Sequence, residues 1–229
     1  FQGMDCTIVG NGNDEGAGLA FRSDEVRPND MFFCIVGTVV DGHSFAQDAI
    51  DRGATSLVAE RKVYLADATD VTEVVVSDSR KAMAYASANY YDNPSRAFSL
   101  VGITGTNGKT TTAYLLEHLF TATGHKVGVL GTVSYRWPGH CEAAPLTTPD
   151  PLRVHAMLAA MSQAGVDIAV MEVSSHALEQ QRVCGVPFAG ASFSNLTQDH
   201  LDFHQDMESY FRAKSRLFLE LPRADKVMA

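Results

Sequence analysis

The sequence predicts an α/β protein, with a small N-terminal α/β module followed by a phosphate-loop domain built on a mostly parallel sheet. Three observations carry this. Short apolar runs of strand length alternate with stretches of helical spacing along most of the chain, the rhythm of parallel strands covered by helices on both faces. One run, Phe98 to Ile103, leads through Gly105-Thr106-Asn107-Gly108-Lys109-Thr110-Thr111 straight into a helical pattern. The rhythm is interrupted at Asp92-Asn93-Pro94-Ser95, a turn cluster that divides the chain into modules of residues 4–96 and 97–229.

The elements follow in order. Residues 4 to about 20 are rich in Gly and Asn and read as a loop. Met31 to Val36 is a strand, broken by Gly37 and Asp41-Gly42. Ser44 to Arg52 is a helix with Phe45, Ala49 and Ile50 on one face, closed by Gly53. Ser56 to Ala59 and Val74 to Val76 are strands. Asp78 to Tyr91 is helical, with Met83, Ala86, Tyr90 and Tyr91 near one stripe. Past the boundary, the strand Phe98 to Ile103 precedes a helix from Thr111 to Thr123, with Tyr114, Leu115, Leu119 and Phe120 as its apolar members. Val127 to Leu130 is a strand, and Tyr135 to Pro145 is a loop or hairpin. Pro149-Asp150-Pro151 opens a helix running to Gln163 and closed by Gly165. Ile168 to Val173 and Ala189 to Phe193 are strands, Met207 to Leu219 is a helix, and Val227-Met228-Ala229 opens a further strand.

Composition narrows the function classes. Of 229 residues, 45% are apolar and 20% charged, enough for a real core in a soluble chain. A net charge of −9 and the lack of a basic run exclude a nucleic-acid backbone partner. No apolar stretch is long enough to span a bilayer, and no signal peptide follows Met4, so no membrane partner is expected. Cys6, Cys34, Cys141 and Cys184 lack CxxC spacing and read as reduced thiols of a cytoplasmic protein.

The glycine-punctuated turn is where chemistry is most legible. Its glycines let backbone N–H groups converge on one anion, and the helix N-terminus adds partial positive charge. Lys109 is placed to reach the β/γ-phosphates and the Thr110 hydroxyl to hold Mg²⁺. The strict pattern G-x-x-x-x-G-K-[ST] would place glycine where Ile103 stands, and Gly105 sits inside the loop instead. The strand–turn–helix context is nevertheless met, which favours a nucleoside triphosphate over a chance Gly-Lys-Thr.

Three polar clusters follow predicted strands. Glu172-Val173-Ser174-Ser175-His176 ends a buried strand with a carboxylate placed for Mg²⁺, or is a helix cap beside an acid. Asn195 to His204 holds Asp199, His200, Asp202 and His204, a metal or phosphate grouping; no Glu follows the first His, which speaks against a metalloprotease. Lys214, on an amphipathic helix, reads locally as a solvated side chain. Thr147-Thr148-Pro149 and Gln180-Gln181-Arg182 pass locally as caps and surface.

Taken together, Thr104 to Thr112, Met171 to Leu178 and Asn195 to His204 resemble the Mur ligases, the ATP-dependent amide-forming enzymes of peptidoglycan precursor synthesis. The resemblance runs from about residue 21 to the end. Thr147-Thr148, Ser174-Ser175-His176, Gln180 and Arg182 are most similar to the branch that adds a third residue, diaminopimelate or lysine, to UDP-N-acetylmuramoyl-L-alanyl-D-glutamate through an acyl phosphate. The resemblance implies that Gly105, Thr106, Asn107, Gly108, Lys109, Thr110 and Thr111 bind ATP. It implies that Thr110, Glu172, His200 and Lys214, the last as a carbamate, serve Mg²⁺. Lys109, His200 and Lys214 are the implied catalytic residues. Ser23, Thr147, Thr148, Ser174, Gln180 and Arg182 are the implied contacts to the UDP-MurNAc-dipeptide, with the first module holding UDP. An amino acid is the second substrate, and a monomer is expected.

The sequence departs from the family pattern in two places. Arg22-Ser23-Asp24 stands where Asp-Ser-Arg is common, and Leu146 precedes the paired threonines where Asn is common. By family length the central domain is incomplete and the C-terminal amino-acid-binding domain absent, so the chain alone is expected to be inactive. The alternatives are another Mur-type or related ligase, or a catalytically silent nucleotide-binding fragment.

Overall fold

A computed structural model describes residues 6–9, 17–37, 39–64 and 71–220. The chain divides into two compact units, Phe1–Ser87 and Ala88–Ala229. The strand expected at Val227 to Ala229 lies outside the described residues.

The first unit holds β1 (Cys6–Val9), β2 (Gly18–Ala20), β3 (Asp30–Phe33), β4 (Ser56–Ala59) and β5 (Thr72–Val76), in the sheet order β1-β5-β4-β3-β2. β1 runs antiparallel to β5, and the other neighbours are parallel. The expectation of a loop before residue 20 is therefore corrected at β1 and β2. β1 is exposed along its whole length and has no alternating pattern; pairing with β5, not local sequence, makes it a strand. Helix α1 (Ala46–Asp51) follows a 3-10 turn over Gly42–Phe45. It packs Ala46, Ala49 and Ile50 against Phe32, Cys34 and Leu57, while Phe45, expected on that face, is exposed. α2 (Ser79–Tyr90) buries Ala82, Met83, Ala84 and Ala88, and Tyr90, expected on its stripe, faces solvent.

The second unit holds β6 (Ser99–Thr104), α3 (Lys109–Ala122), β7 (Val127–Leu130), the hairpin of β8 (Ser134–Trp137) and β9 (His140–Ala143), and α4 (Pro151–Gln163). β10 (Ile168–Glu172), α5 (Ser175–Glu179), β11 (Gly190–Phe193), α6 (Leu201–His204) and α7 (Met207–Leu219) complete it. The sheet order is β11-β6-β10-β7-β8-β9, with the first four strands parallel and the hairpin antiparallel.

Period-2 alternation gives this sheet two apolar faces. Ile103, Val129 and Val170 meet Ala113, Leu116 and Phe120 of α3. Leu100, Ala169 and Met171 meet Val154, Leu158 and Met161 of α4 and Leu217 of α7. The buried stripe of α3 is thus Ala113, Leu116 and Phe120, at helical spacing. Of the apolar members named from the sequence, Tyr114, Leu115 and Leu119 are exposed.

Strand register decides where the site falls. Ile103 pairs with Glu172 and Thr104 with Phe193, while Leu130 pairs with Met171. The segments that follow β6, β7, β10 and β11 therefore leave one edge of the sheet together, at the carboxyl ends where α/β sheets bind ligands.

Candidate nucleotide and dipeptide site

The glycines of the loop after β6 are sterically required. Gly105 has φ +141°, and a Cβ there would lie 1.9 Å from Ser194 Oγ; Gly108 has φ +85°. The segment after β11 clamps the loop. Thr106 N donates to Asn195 O at 2.9 Å and Asn107 N to Asn195 Oδ1 at 3.1 Å. Ser194 Oγ and Asn195 Nδ2 donate to Asn107 O at 2.6 and 3.0 Å. Two of the loop amides are therefore directed at Asn195. The amides of the first turn of α3, from Lys109 to Thr111, have no carbonyl within their helix and are the ones free to meet a phosphate.

Lys109 folds over the loop it belongs to. Its Nζ donates to the carbonyls of Gly105 and Thr106, both at 2.9 Å. Burial lowers its pKa, against the pull of Glu172 and Asp199.

Thr106 joins the loop to α7. Its hydroxyl donates to Thr197 O at 3.1 Å, accepts from Thr197 N at 3.0 Å and lies 3.1 Å from the Tyr210 hydroxyl. With one hydrogen already directed at Thr197 O, Thr106 accepts from Tyr210. The ring of fully buried Tyr210 also lies 4.4 Å from Lys214 Nζ.

Lys214 corrects the local reading of a solvated lysine. It is 1% exposed, and its Nζ donates to Gly105 O at 2.8 Å. The spacing from Tyr210 to Leu217 turns it inward, since Tyr210, Ala213, Lys214 and Leu217 form the buried face of α7. Burial, helped by the nearby Lys109 charge, brings its pKa down to about 7.

Glu172 is the second anchor. Buried at the end of β10, its carboxylate accepts from Thr110 Oγ1 at 2.9 Å, from Thr132 N at 3.0 Å and from Thr132 Oγ1 at 3.0 Å. Gly131 makes room for it, because a Cβ there would lie 2.4 Å from Glu172 Oε1. Thr110 and Glu172 form an all-oxygen donor pair of the kind Mg²⁺ takes.

His200 sits at the N-cap of α6 with φ +53°, exposed, its Nε2 3.6 Å from Asp199 Oδ2. Its ring is edge-on to His176 at 4.9 Å and 6.1 Å from the Tyr210 ring. The His204 ring, like that of His200, packs against His176 and Tyr210, and its Nε2 lies 2.9 Å from Ser175 Oγ. Burial lowers the pKa of both His176 and His204. Among the described residues no three His, Cys, Asp or Glu side chains converge as a metal cluster.

Four of the residues expected at a dipeptide form one network. Thr148 Oγ1 donates to Glu172 O at 2.8 Å and accepts from Ser174 N at 3.1 Å. Ser174 Oγ caps α5 by accepting from Ala177 N. Arg182 donates to Thr148 O at 2.6 Å and to Gln180 Oε1 at 2.7 Å. Thr147 Oγ1 lies 3.0 Å from Thr132 Oγ1. Ser23, in the first unit, hydrogen-bonds the Asp48 carboxylate and lowers its pKa. Its neighbour Arg22 pairs with Asp24 at 2.8 Å.

Sequence reasoning missed Thr132, Ser194 and Tyr210. Thr132 and Ser194 follow the ends of β7 and β11, so strand-end position in a parallel sheet was the available signal. For Tyr210, the i, i+4 spacing to Lys214 was that signal.

Comparison with known proteins agrees with this geometry. The Mur ligase middle domain matches residues 103–228, and the Mur ligase family catalytic domain matches residues 17–106. UDP-N-acetylmuramoyl-L-alanyl-D-glutamate–2,6-diaminopimelate ligase of Lawsonia intracellularis is 47% identical over 210 residues, covering 92% of this chain and 43% of the relative. The protein of the same name from Gloeobacter violaceus is 49% identical over 202 residues, covering 88% and 41%. A solved structure of a ligase of that name superposes with TM-score 0.72 at 29% identity, covering 88% of this chain and 40% of that one. MurF of Thermotoga maritima in complex with ADP superposes with TM-score 0.55 at 26% identity, covering 88% and 43%. The chain thus spans less than half the length of the relatives it matches. On these matches, and with a phosphate loop, a buried strand-end glutamate and a buried helix lysine at one sheet edge, the chain belongs to the Mur ligase family.

Proposed function

We propose that this chain carries the nucleotide-binding and dipeptide-binding parts of an ATP-dependent ligase of peptidoglycan precursor synthesis. The reaction adds the third peptide residue to UDP-N-acetylmuramoyl-L-alanyl-D-glutamate. Diaminopimelate is the amine favoured, as in the names of the relatives, with lysine the alternative. A cytoplasmic site of action fits the thiols of Cys6, Cys34 and Cys141, none of them in a disulfide.

The observation that carries the reading is Glu172. Its carboxylate accepts from Thr110 on the phosphate-loop side and, through Thr132, connects to Thr147 on the other. The groups assigned to ATP and those assigned to the dipeptide meet at one buried acid.

The reaction sets a negative carboxylate against a negative γ-phosphate, so the chain's task is positioning and charge neutralisation. Lys109 exchanges its two loop carbonyls for phosphate oxygens, and the first-turn amides of α3 supply further donors. Thr110 and Glu172 would hold Mg²⁺, with His200 and carbamylated Lys214 as the further ligands that the family resemblance implies. When bound, Mg²⁺ offsets the charge gathered between the two reacting groups. Carbamylation begins when the Lys214 ammonium loses a proton; the neutral Nζ then bonds the carbon of CO₂ and releases a second proton, so a cation becomes an anion. Gln180, Arg182, Thr147 and Ser174 orient the dipeptide, and Ser23 contacts the UDP group.

Calorimetric titration of the chain with UDP-MurNAc-L-Ala-D-Glu and with UDP-MurNAc-L-Ala tests the reading. The dipeptide nucleotide is expected to bind more tightly, with the difference removed by Arg182→Ala. Equal affinity for both nucleotides would contradict it.

A further inference from the structure

Between the phosphate loop and Thr147 runs a short line of hydroxyls whose hydrogens have only one consistent placement. Thr132 Oγ1 lies 3.0 Å from Glu172 Oε2 and 3.0 Å from Thr147 Oγ1. A carboxylate accepts and does not donate, and a threonine hydroxyl has one hydrogen. Thr132 therefore gives its hydrogen to Glu172. The bond to Thr147 then runs the other way, from Thr147 into Thr132. Thr147 has no hydrogen left and presents only lone pairs to the site.

Its neighbour differs. The Thr148 hydroxyl donates to Glu172 O, accepts from Ser174 N and is fully buried, so it is committed within the protein. Thr147 is the half-buried member of the pair, and its polarity is set from behind.

We propose that Thr132 is a positioning residue that fixes Thr147 as a hydrogen-bond acceptor, so that this part of the site selects a ligand group carrying N–H, here a peptide N–H of the muramoyl dipeptide. The inference rests on the assignment of Thr147 to that dipeptide. An ester in place of the amide would set an oxygen lone pair against the Thr147 lone pairs and lose the bond. The backbone contribution of Thr132 is separate, since its N–H bonds Glu172 Oε1 whatever side chain it carries. Thr132→Val therefore removes only the hydroxyl, at nearly constant shape.

The test measures binding of three nucleotides to this chain. They are UDP-MurNAc-L-Ala-D-Glu and two analogues in which each peptide N–H in turn is replaced by an ester oxygen. In the unsubstituted chain at least one ester is expected to bind about fivefold to tenfold more weakly than the amide, the loss of one hydrogen bond. In Thr132→Val, with Thr147 free to rotate and donate to the ester oxygen, the ester is expected to recover and the ester-to-amide ratio to approach one. Thr132→Ser is expected to restore the discrimination. Equal binding of amide and esters by the unsubstituted chain would overturn the proposal. So would a ratio that persists in Thr132→Val, or a serine variant that fails to restore it. If the unsubstituted chain binds none of the three nucleotides, the dipeptide assignment fails and takes this role with it. If it binds the amide, and Arg182→Ala weakens that binding while the esters behave alike, only the role of Thr132 fails.

Discussion

Lys109 and Lys214 donate to the same acceptor: Nζ of each reaches the carbonyl of Gly105, at 2.9 and 2.8 Å. Two ammonium groups on one carbonyl repel each other. Burial, with the Lys109 charge adding to it, brings the pKa of Lys214 down to about 7. An anion brought to the loop relieves this repulsion, and so does conversion of Lys214 to a neutral or anionic group.

The first prediction concerns stability. The folded-state pKa of Lys214 lies below the unfolded value of about 10.4, so between about pH 7 and 10.4 the unfolded chain binds more protons. Stability from this group rises with pH across that window, and the penalty is fully present below it. Lys214→Met is expected to unfold at higher denaturant concentration than the unsubstituted chain at pH 7, with the gap closing by pH 10. A gap that widens with pH would show that the lysine is not held against its charge.

The second concerns the modification. Carbamylation needs the neutral amine, a sizeable fraction of Lys214 at neutral pH given a pKa of about 7. Native mass spectrometry in bicarbonate is expected to show one added CO₂ that disappears on acidification and is absent in Lys214→Met. An unmodified chain across pH 7 to 9 would argue against the carbamate.

Much of this architecture was legible in the sequence because strand and helix periods were clean where one face is buried. Val127 to Leu130 and Met207 to Leu219 coincide with β7 and α7. Faces were harder than elements. On α3 the apolar residues Tyr114, Leu115 and Leu119 face solvent, and the packed stripe is set by small Ala113 with Leu116 and Phe120. Lys214 was opaque for a related reason: local pattern gives its position on the helix, but only the approach of the Gly105 carbonyl makes burial of an ammonium tolerable. Glu172 was legible as a strand-end acid, whereas its link to Thr147 runs through Thr132, which stands 40 residues away in sequence.

The third concerns Tyr210, whose hydroxyl fills the remaining lone pair of Thr106 while its ring packs beside Lys214. Tyr210→Phe keeps the ring and loses the donor. ATP-analogue affinity is expected to fall about fivefold, the worth of one hydrogen bond, with little change in CO₂ uptake by Lys214. Combined with Thr106→Val, which also removes the bonds to Thr197, the two losses should sum to less than their separate values, because they share one hydrogen bond. Full additivity of the two substitutions would dissolve the link.

The fourth concerns His155 on α4, fully buried, with neither ring nitrogen hydrogen-bonded among the described residues. Burial pushes its pKa down to about 4. The unfolded chain binds the extra proton between about pH 6.5 and 4, so this residue lowers stability as pH falls through that range. His155→Leu, similar in size and without unpaired nitrogens, is expected to raise stability by about 1–2 kcal/mol at pH 7 and by more at pH 5. Thermal melts at the two pH values check both the size and the trend.

The central claim is that the loop from Gly105 to Thr111 binds the phosphates of ATP, with Thr110 and Glu172 holding Mg²⁺. Its most direct test is titration of the chain with a non-hydrolysable ATP analogue, with and without Mg²⁺, alongside Lys109→Ala and Glu172→Gln. Binding is expected to need Lys109, with a loss of about tenfold or more in Lys109→Ala and an unchanged circular dichroism spectrum. The Mg²⁺-dependent part of the affinity is expected to vanish in Glu172→Gln. Affinity unchanged by Lys109→Ala, or a Mg²⁺ effect that survives Glu172→Gln, would contradict the account.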